Sequence, residues 1–257
     1  MTRKTHEVRT TLDLSGGLSV PLRIIAERGR RATIASVRQR AVYIRLPQRL
    51  KGTERAARIQ EMVDWIRKTA RDKPLVFAHL AAPPLAEGYT FELGDRQHTI
   101  TVERHDLAHH KILTTGANEL VVRLSTCGPA QEVTRVIPKL LAKHFAVREL
   151  ERVARRVHEL NAEHFQKRIR RVRLSDTYTR WGSCSTRGNI NLATRLLLAP
   201  PEVLDAVIIH ELAHLVEANH SPRFWAEVAR VLPDYAVYDD WLRLHGNALR
   251  FDPVAME

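Results

Sequence analysis

The chain has 257 residues, 44% of them apolar, and 41 Lys/Arg against 29 Asp/Glu give it a net charge of +12. That length can bury a sizeable core, as one large domain or two small ones, and that apolar fraction excludes wholesale disorder. The two cysteines, Cys127 and Cys184, lie far apart outside any Cys-x-x-Cys pair, which excludes a disulfide framework and a cysteine-rich metal site.

From the N-terminus, Met1 to Thr11 is polar and charged, with no apolar h-region and no small-residue cleavage site. No later run approaches the length of a membrane span. A cytoplasmic protein is the expectation. Ser19 to Ile25, Ala32 to Val37 and the alternating Ala41 to Leu46 read as strands, with Arg28-Gly-Arg-Arg31 as a turn. Thr53 stands where a helix N-cap belongs, and Arg55 to Thr69 has helical spacing. Pro74 and Ala81-Ala-Pro-Pro84 punctuate the next stretch. Thr90 to Leu93, Gln97 to Glu103 and Glu119 to Leu124 are candidate strands, with turns at Gly88, Gly94 and Gly116.

From Gln131 the pattern turns helical, and Val133 to about Gln166 contains no glycine. Pro138 either kinks this run or divides it. A basic stretch, Lys167 to Arg173, leads to a strand at Val172 to Leu174. Ser183 to Gly188 reads as a turn, Asn189 to Ala193 as a strand, and Pro200-Pro201 as a helix start with Glu202 in its first turn. No internal repeat is evident. The expected organisation is a β-rich region with one helix over 1–125 and a second domain over 126–257.

The charge is uneven. Residues 1–75 hold 18 Lys/Arg against 7 Asp/Glu, whereas 76–145 balance at 7 each and 146–257 hold 16 against 15. Such an N-terminal surplus either attracts phosphates, nucleotides or nucleic acid or forms a solvated arginine-rich face.

The segment Val203 to Glu217 carries the chemistry. It contains His210-Glu-Leu-Ala-His214 in nearly continuous apolar surroundings, the pattern of a buried helix. Histidines four apart share one helix face and reach one metal ion. Glu211 then faces the metal-activated water as general base. A metal also resolves the cost of burying two imidazoles and a carboxylate. Glu217 and His220 compete as third ligand. A straight helix rises about 10 Å between residues 210 and 217, too far for convergence, so a turn at Ala218-Asn219 returning His220 is favoured. Ser221-Pro222 then starts another helix. Three histidines and an open position are a catalytic arrangement, and zinc is the expected ion. His105, His109 and His110 lie in a polar stretch and read as solvated surface.

Several further motifs stand in order: Arg180-Trp-Gly-Ser-Cys-Ser185, Gly188-Asn-Ile-Asn-Leu192, Leu198-Ala-Pro-Pro201, Asn219-His-Ser221, Phe224-Trp225 and Pro233-Asp-Tyr235. With the histidine motif they resemble the YgjP-like family of zinc-dependent metal hydrolases, related to the SprT-like and WLM metallopeptidases. The resemblance implies an α+β, minimal zincin-like fold in which the active-site helix packs on a small twisted sheet, with the β-rich region preceding it. It also places His210, His214 and His220 as zinc ligands and Glu211 as base. Arg180, Trp181, Gly182 and Ser183 match the strand beside the cleft, where an extended peptide substrate adds as a further strand; for Trp181, core packing is an equal reading. Cys184 reads as a small buried residue. Tyr178, Arg180 and Tyr235 are candidate oxyanion stabilisers. The leading expectation is a metallopeptidase acting on a peptide or protein. A nucleotide pyrophosphatase and a nucleic-acid-associated SprT-like protein are the alternatives.

Overall fold

In Val42-Tyr-Ile-Arg-Leu46 the apolar residues alternate with Tyr43 and Arg45, and the sheet built around them obeys that alternation. The computed structural model describes residues 6–14, 17–38, 40–81, 89–94, 96–106, 108–127 and 130–251. Strand β1 (His6–Asp13) pairs antiparallel with β2 (Ser19–Glu27), and β2 pairs parallel with β4 (Val42–Pro47). Strand β3 (Ile34–Val37) lies outside β4, giving the order β1-β2-β4-β3. Val42, Ile44 and Leu46 are fully buried and share one core with Val63, Ile66 and Ala70 of helix α1 (Gly52–Asp72). A one-residue slip would expose all three strand residues, so burial fixes the register. Helix α1 starts one residue before the expected cap, at Gly52, and Thr53 lies inside it. A short helix α2 (Leu75–Ala78) follows Pro74.

The same order recurs. Strands β5 (Tyr89–Leu93), β6 (Arg96–His105), β7 (Lys111–Thr114) and β8 (Glu119–Ser125) form a sheet ordered β5-β6-β8-β7, with β6 and β8 parallel and both outer pairs antiparallel. Helix α3 (Ala130–His164) follows as α1 follows the first sheet. Leu120, Val122 and Leu124 occupy the buried positions corresponding to Val42, Ile44 and Leu46. The chain therefore holds a topological repeat of four strands and a helix, where the sequence shows no repeat. The reason is that only the period of burial is shared, and many residues satisfy it. The Gly88 turn and residues 82–84 lie outside the described residues.

Helix α3 runs unbroken through Pro138. A proline there forfeits a backbone hydrogen bond. Ile137, Leu141, Ala142 and Phe145, buried on either side of it, hold the segment in place. Asn161 ends the helix: its side-chain amide donates to the Lys167 carbonyl at 2.9 Å and accepts from the Lys167 N–H at 3.0 Å. The chain then enters β9 (Arg171–Ser175), which pairs parallel with β11 (Asn189–Ala193); β10 (Gly182–Cys184) pairs antiparallel on the other side of β11 as an edge strand. A 3-10 turn, Thr194–Leu198, leads into α4 (Pro201–Ala213). Arg156 of α3 clamps α4 by donating to both oxygens of Asp205 at 2.7–3.1 Å. Helices α5 (Pro222–Val231) and α6 (Tyr235–His245) complete the order.

The class is α+β, as expected. The chain divides into two compact units, one of Met1–Pro84, Arg243–Ala248 and Pro253–Glu257, the other of Leu85–Leu242 and Leu249–Asp252. The expected boundary after residue 125 falls inside the second unit, between β8 and α3. No helix among the described residues is long and apolar enough to cross a membrane.

Candidate metal centre

Helix α4 begins with Pro201 at its first position and Glu202 in its first turn, both suited to a helix N-terminus. Val203, Leu204, Val207, Ile208, Ile209, Leu212 and Ala213 are buried, so the helix is apolar nearly all round. It stops earlier than the sequence suggests. His214 is its C-cap, and tight turns take over: the amide of Leu215 donates to Leu212 O and that of Val216 to Ala213 O, both at 2.9 Å. The turns carry the chain to Ser221, whose hydroxyl caps α5 by accepting from the Phe224 amide at 3.3 Å.

That reversal returns His220. Its Nε2 lies 3.1 Å from Nε2 of His210. One ring nitrogen from each of His210, His214 and His220 falls within 4.8 Å of the others, and this is the only such group of potential metal ligands among the described residues. Glu217 is not part of it. Its backbone carbonyl instead stands 3.3 Å from His214 Nδ1, which directs that ring's Nε2 toward the cluster. Phe224, fully buried, forms the floor: its ring centroid is 4.4–4.9 Å from those of all three imidazoles.

The donor set fits a divalent ion. Tetrahedral coordination with bonds of about 2.0–2.1 Å places ligand nitrogens roughly 3.3 Å apart, close to the observed 3.1 Å pair. Burial first, then the neighbouring His214 and His220, pushes His210 down to about 4, and burial likewise lowers His214. Both rings are neutral at pH 7, the form that ligates metal.

Glu211 is buried, and its Oε2 has no hydrogen-bond partner among the described residues. Burial raises its carboxyl to about 7, with the positive charge of Arg180 pulling the other way. The edge strand β10 passes directly over it. A β-carbon at Gly182 would meet Glu211 Cδ at 2.7 Å, so any larger residue there forces the Glu211 side chain to shift. A cleft of about 300 Å³ opens here. Arg180, Trp181 and Gly182 form one side, Ala206, Val207, His210 and Glu211 the α4 side. Helices α5 and α6 contribute Trp225, Val228, Tyr235, Tyr238, Asp239 and Leu242.

The expected substrate strand is thus divided. Arg180, Trp181 and Gly182 line the cleft, whereas Ser183 lines an adjoining hollow with Arg180, Gly182 and Asn191. Trp181 combines both readings: it packs on the core, and its ring is covered by the Arg195 guanidinium at 3.5 Å from the centroid. Arg195 is buried and donates through Nε to the Thr177 carbonyl at 3.2 Å, holding the turn before β10. Of the candidate oxyanion stabilisers, Arg180 and Tyr235 line the cleft, and Tyr178 instead hydrogen-bonds Asp176. Burial, then the Glu211 charge, pushes the Cys184 thiol up to about 11, which keeps it protonated and unreactive. His110 is held by the Ser125 amide, which donates to its Nδ1 at 3.0 Å, rather than being free in solvent.

Phe224 as the floor, Arg195 as the clamp and Tyr238 in the cleft went unread in the sequence. Phe224 sits three residues after the Ser221 cap, a position that turns it back toward α4, and that spacing was the available signal.

The family model described as YgjP-like, metallopeptidase domain, matches residues 30–245. Among solved structures, the metallopeptidase zymogen of Pyrococcus abyssi abylysin is 27% identical over 35% of this chain and 90% of that one, with a TM-score of 0.33. The zymogen of Methanocaldococcus jannaschii jannalysin is 17% identical over 35% of this chain and 94% of its own, with a TM-score of 0.30. No curated protein matches. With its model matched across most of its length, the chain belongs to the YgjP-like metallopeptidase-domain family.

Proposed function

We propose that the protein is a zinc metallopeptidase of minimal zincin-like design, with residues 126–257 as its catalytic part. In this reading His210, His214 and His220 hold the ion and Glu211 is the general base. The observation that carries it is three imidazole nitrogens within 4.8 Å of one another, beside a buried carboxylate oxygen without a partner among the described residues. Zinc bound there supplies Lewis-acid polarisation and brings the acidity of water toward neutrality. Glu211 accepts the proton of the attacking water and returns it to the departing amine. Its raised pKa, about 7 in the metal-free protein, suits a group that both takes and gives a proton near neutral pH. The peptide adds along the free edge of β10, placing its scissile carbonyl before Glu211. Arg180 or Tyr235 neutralises the developing oxyanion.

A nucleoside triphosphate fits the cleft less well. Arg180 is the single Lys or Arg among the described residues of its lining, whereas a polyphosphate calls for several donors. The test pairs metal analysis with assays on casein-like peptides and on nucleoside triphosphates. One zinc per chain is expected, lost on His210→Ala, His214→Ala or His220→Ala. Glu211→Gln should keep zinc and lose about 10²–10⁴-fold in peptide cleavage. Zinc-independent cleavage, or turnover of triphosphates alone, would sink this reading.

A further inference from the structure

The cleft beside His210 and Glu211 is itself a largely apolar recess, and its chemistry bears on what the enzyme cuts. We propose that this recess receives the side chain of the substrate residue flanking the scissile bond and selects large apolar side chains, aromatic ones foremost. The proposal rests on the peptidase reading and deepens it.

Position comes first. His210 and Glu211 belong to the recess wall, so a peptide carbonyl presented to Glu211 carries its neighbouring side chain into the recess. The apolar part of the remaining wall includes Trp181, Val207, Trp225, Tyr235, Tyr238 and Leu242. Its aromatic rings are held in place. Trp225 and Tyr235 stack at 5.2 Å with 22° between their planes, and Trp181 is backed by the Arg195 guanidinium. Rigid aromatic walls gain apolar contact at little entropic cost. The volume, about 300 Å³, is at the low end for a ligand pocket and suits one amino-acid side chain rather than a nucleotide or cofactor. Charge points the same way. Besides His210 and Glu211, the lining holds one basic and one acidic side chain, Arg180 and Asp239, both exposed and opposite in sign, so the recess offers a charged side chain no net attraction.

The test uses the full-length chain and peptides of one frame, varied to Phe, Leu, Ala, Lys or Glu on either side of the scissile bond. Binding to Glu211→Gln is read by tryptophan fluorescence, since Trp181 and Trp225 line the recess, and cleavage is read with the zinc-loaded wild type. Phe and Leu at one flanking position should bind and react roughly tenfold or more better than Ala, with Lys and Glu poorer still. Ala206→Leu, which narrows the recess from α4, should slow cleavage of Phe peptides more than that of Ala peptides and so erase the advantage of Phe. Tyr238→Ala, which widens it, should also weaken the preference for Phe, and thermal unfolding confirms that each variant folds. Cleavage with a flat profile, a preference for Lys or Glu, or a Phe preference untouched by both variants overturns the proposal and leaves the peptidase reading standing. If no peptide is bound or cut, the peptidase reading falls and the proposal falls with it.

Discussion

A single missing β-carbon governs the room left for the Glu211 carboxylate. Gly182 lets β10 lie against Glu211, and any larger residue collides with that side chain. Gly182→Ala should therefore displace the carboxylate by a fraction of an ångström or more and lower kcat by about 100-fold, with zinc content unchanged. Titration gives a second handle on the same residues. In the metal-free protein His210 is lowered to about 4, so the unfolded chain binds more protons between pH 6.5 and 4, and stability is lost as pH falls through that window. Glu211, raised to about 7, has the opposite sign: the folded state holds the extra proton between pH 4.5 and 7, and stability is lost as pH rises there. Each shift corresponds to on the order of 3 kcal/mol, so the two largely cancel between pH 4.5 and 6.5. Removing the acid with Glu211→Gln should uncover the histidine slope. Urea unfolding of metal-free protein from pH 7 to 4 should be nearly flat from this pair in the wild type and fall steadily in the variant. A parallel pH dependence in both would contradict the assignment.

At the scale of elements, the site is a helix, a reversal and a second helix. Helix α4 must end at His214 for His220 to return, and α5 must begin at Ser221 to hold it there. Ser221→Ala removes the cap and should cost about 1 kcal/mol in stability. The ring of Phe224 then braces all three imidazoles. Phe224→Leu keeps the site apolar but removes the flat floor. Competition with a fluorescent chelator should show zinc affinity weakened roughly tenfold, with His210, His214 and His220 all intact. Unchanged affinity would mean that the turn alone positions the ligands. Sequence reasoning paired His210 and His214 because a four-residue spacing has one geometric meaning on a helix, and the structure gathers both rings with His220. It placed the helix end too late, at Glu217, because the apolar run continues through Leu215 and Val216, whose amides close tight turns instead. It passed over α6, which begins at Tyr235 directly after Pro233 and Asp234, a pair that itself suits a helix start.

For the whole molecule, charge sets the long-range behaviour. The net charge of +12, with its surplus in residues 1–75, favours encounter with acidic partners at low ionic strength. Cleavage of acidic protein substrates should slow as salt rises from 50 to roughly 200 mM, while short neutral peptides are cut at a constant rate. Equal salt dependence for both would show that the surplus is a solvated face only.

The sequence by itself determined the class of chemistry. The spacing of His210, Glu211 and His214, the apolar run around them and the Ser221-Pro222 helix start each translate directly into local geometry, because capping and helical periodicity act over a few residues. It also determined three strands of the first sheet, β2, β3 and β4, the last by an alternation that leaves one face to bury, but not β1. Only the tertiary structure decided what stands against those groups. That a side chain at Gly182 would displace that of Glu211, that Arg195 clamps Trp181, and that α6 completes the recess with Tyr235 and Tyr238 all depend on contacts between segments far apart in the chain. The four-strand repeat belongs there too, since strand order follows from pairing across the fold and leaves no mark on local composition.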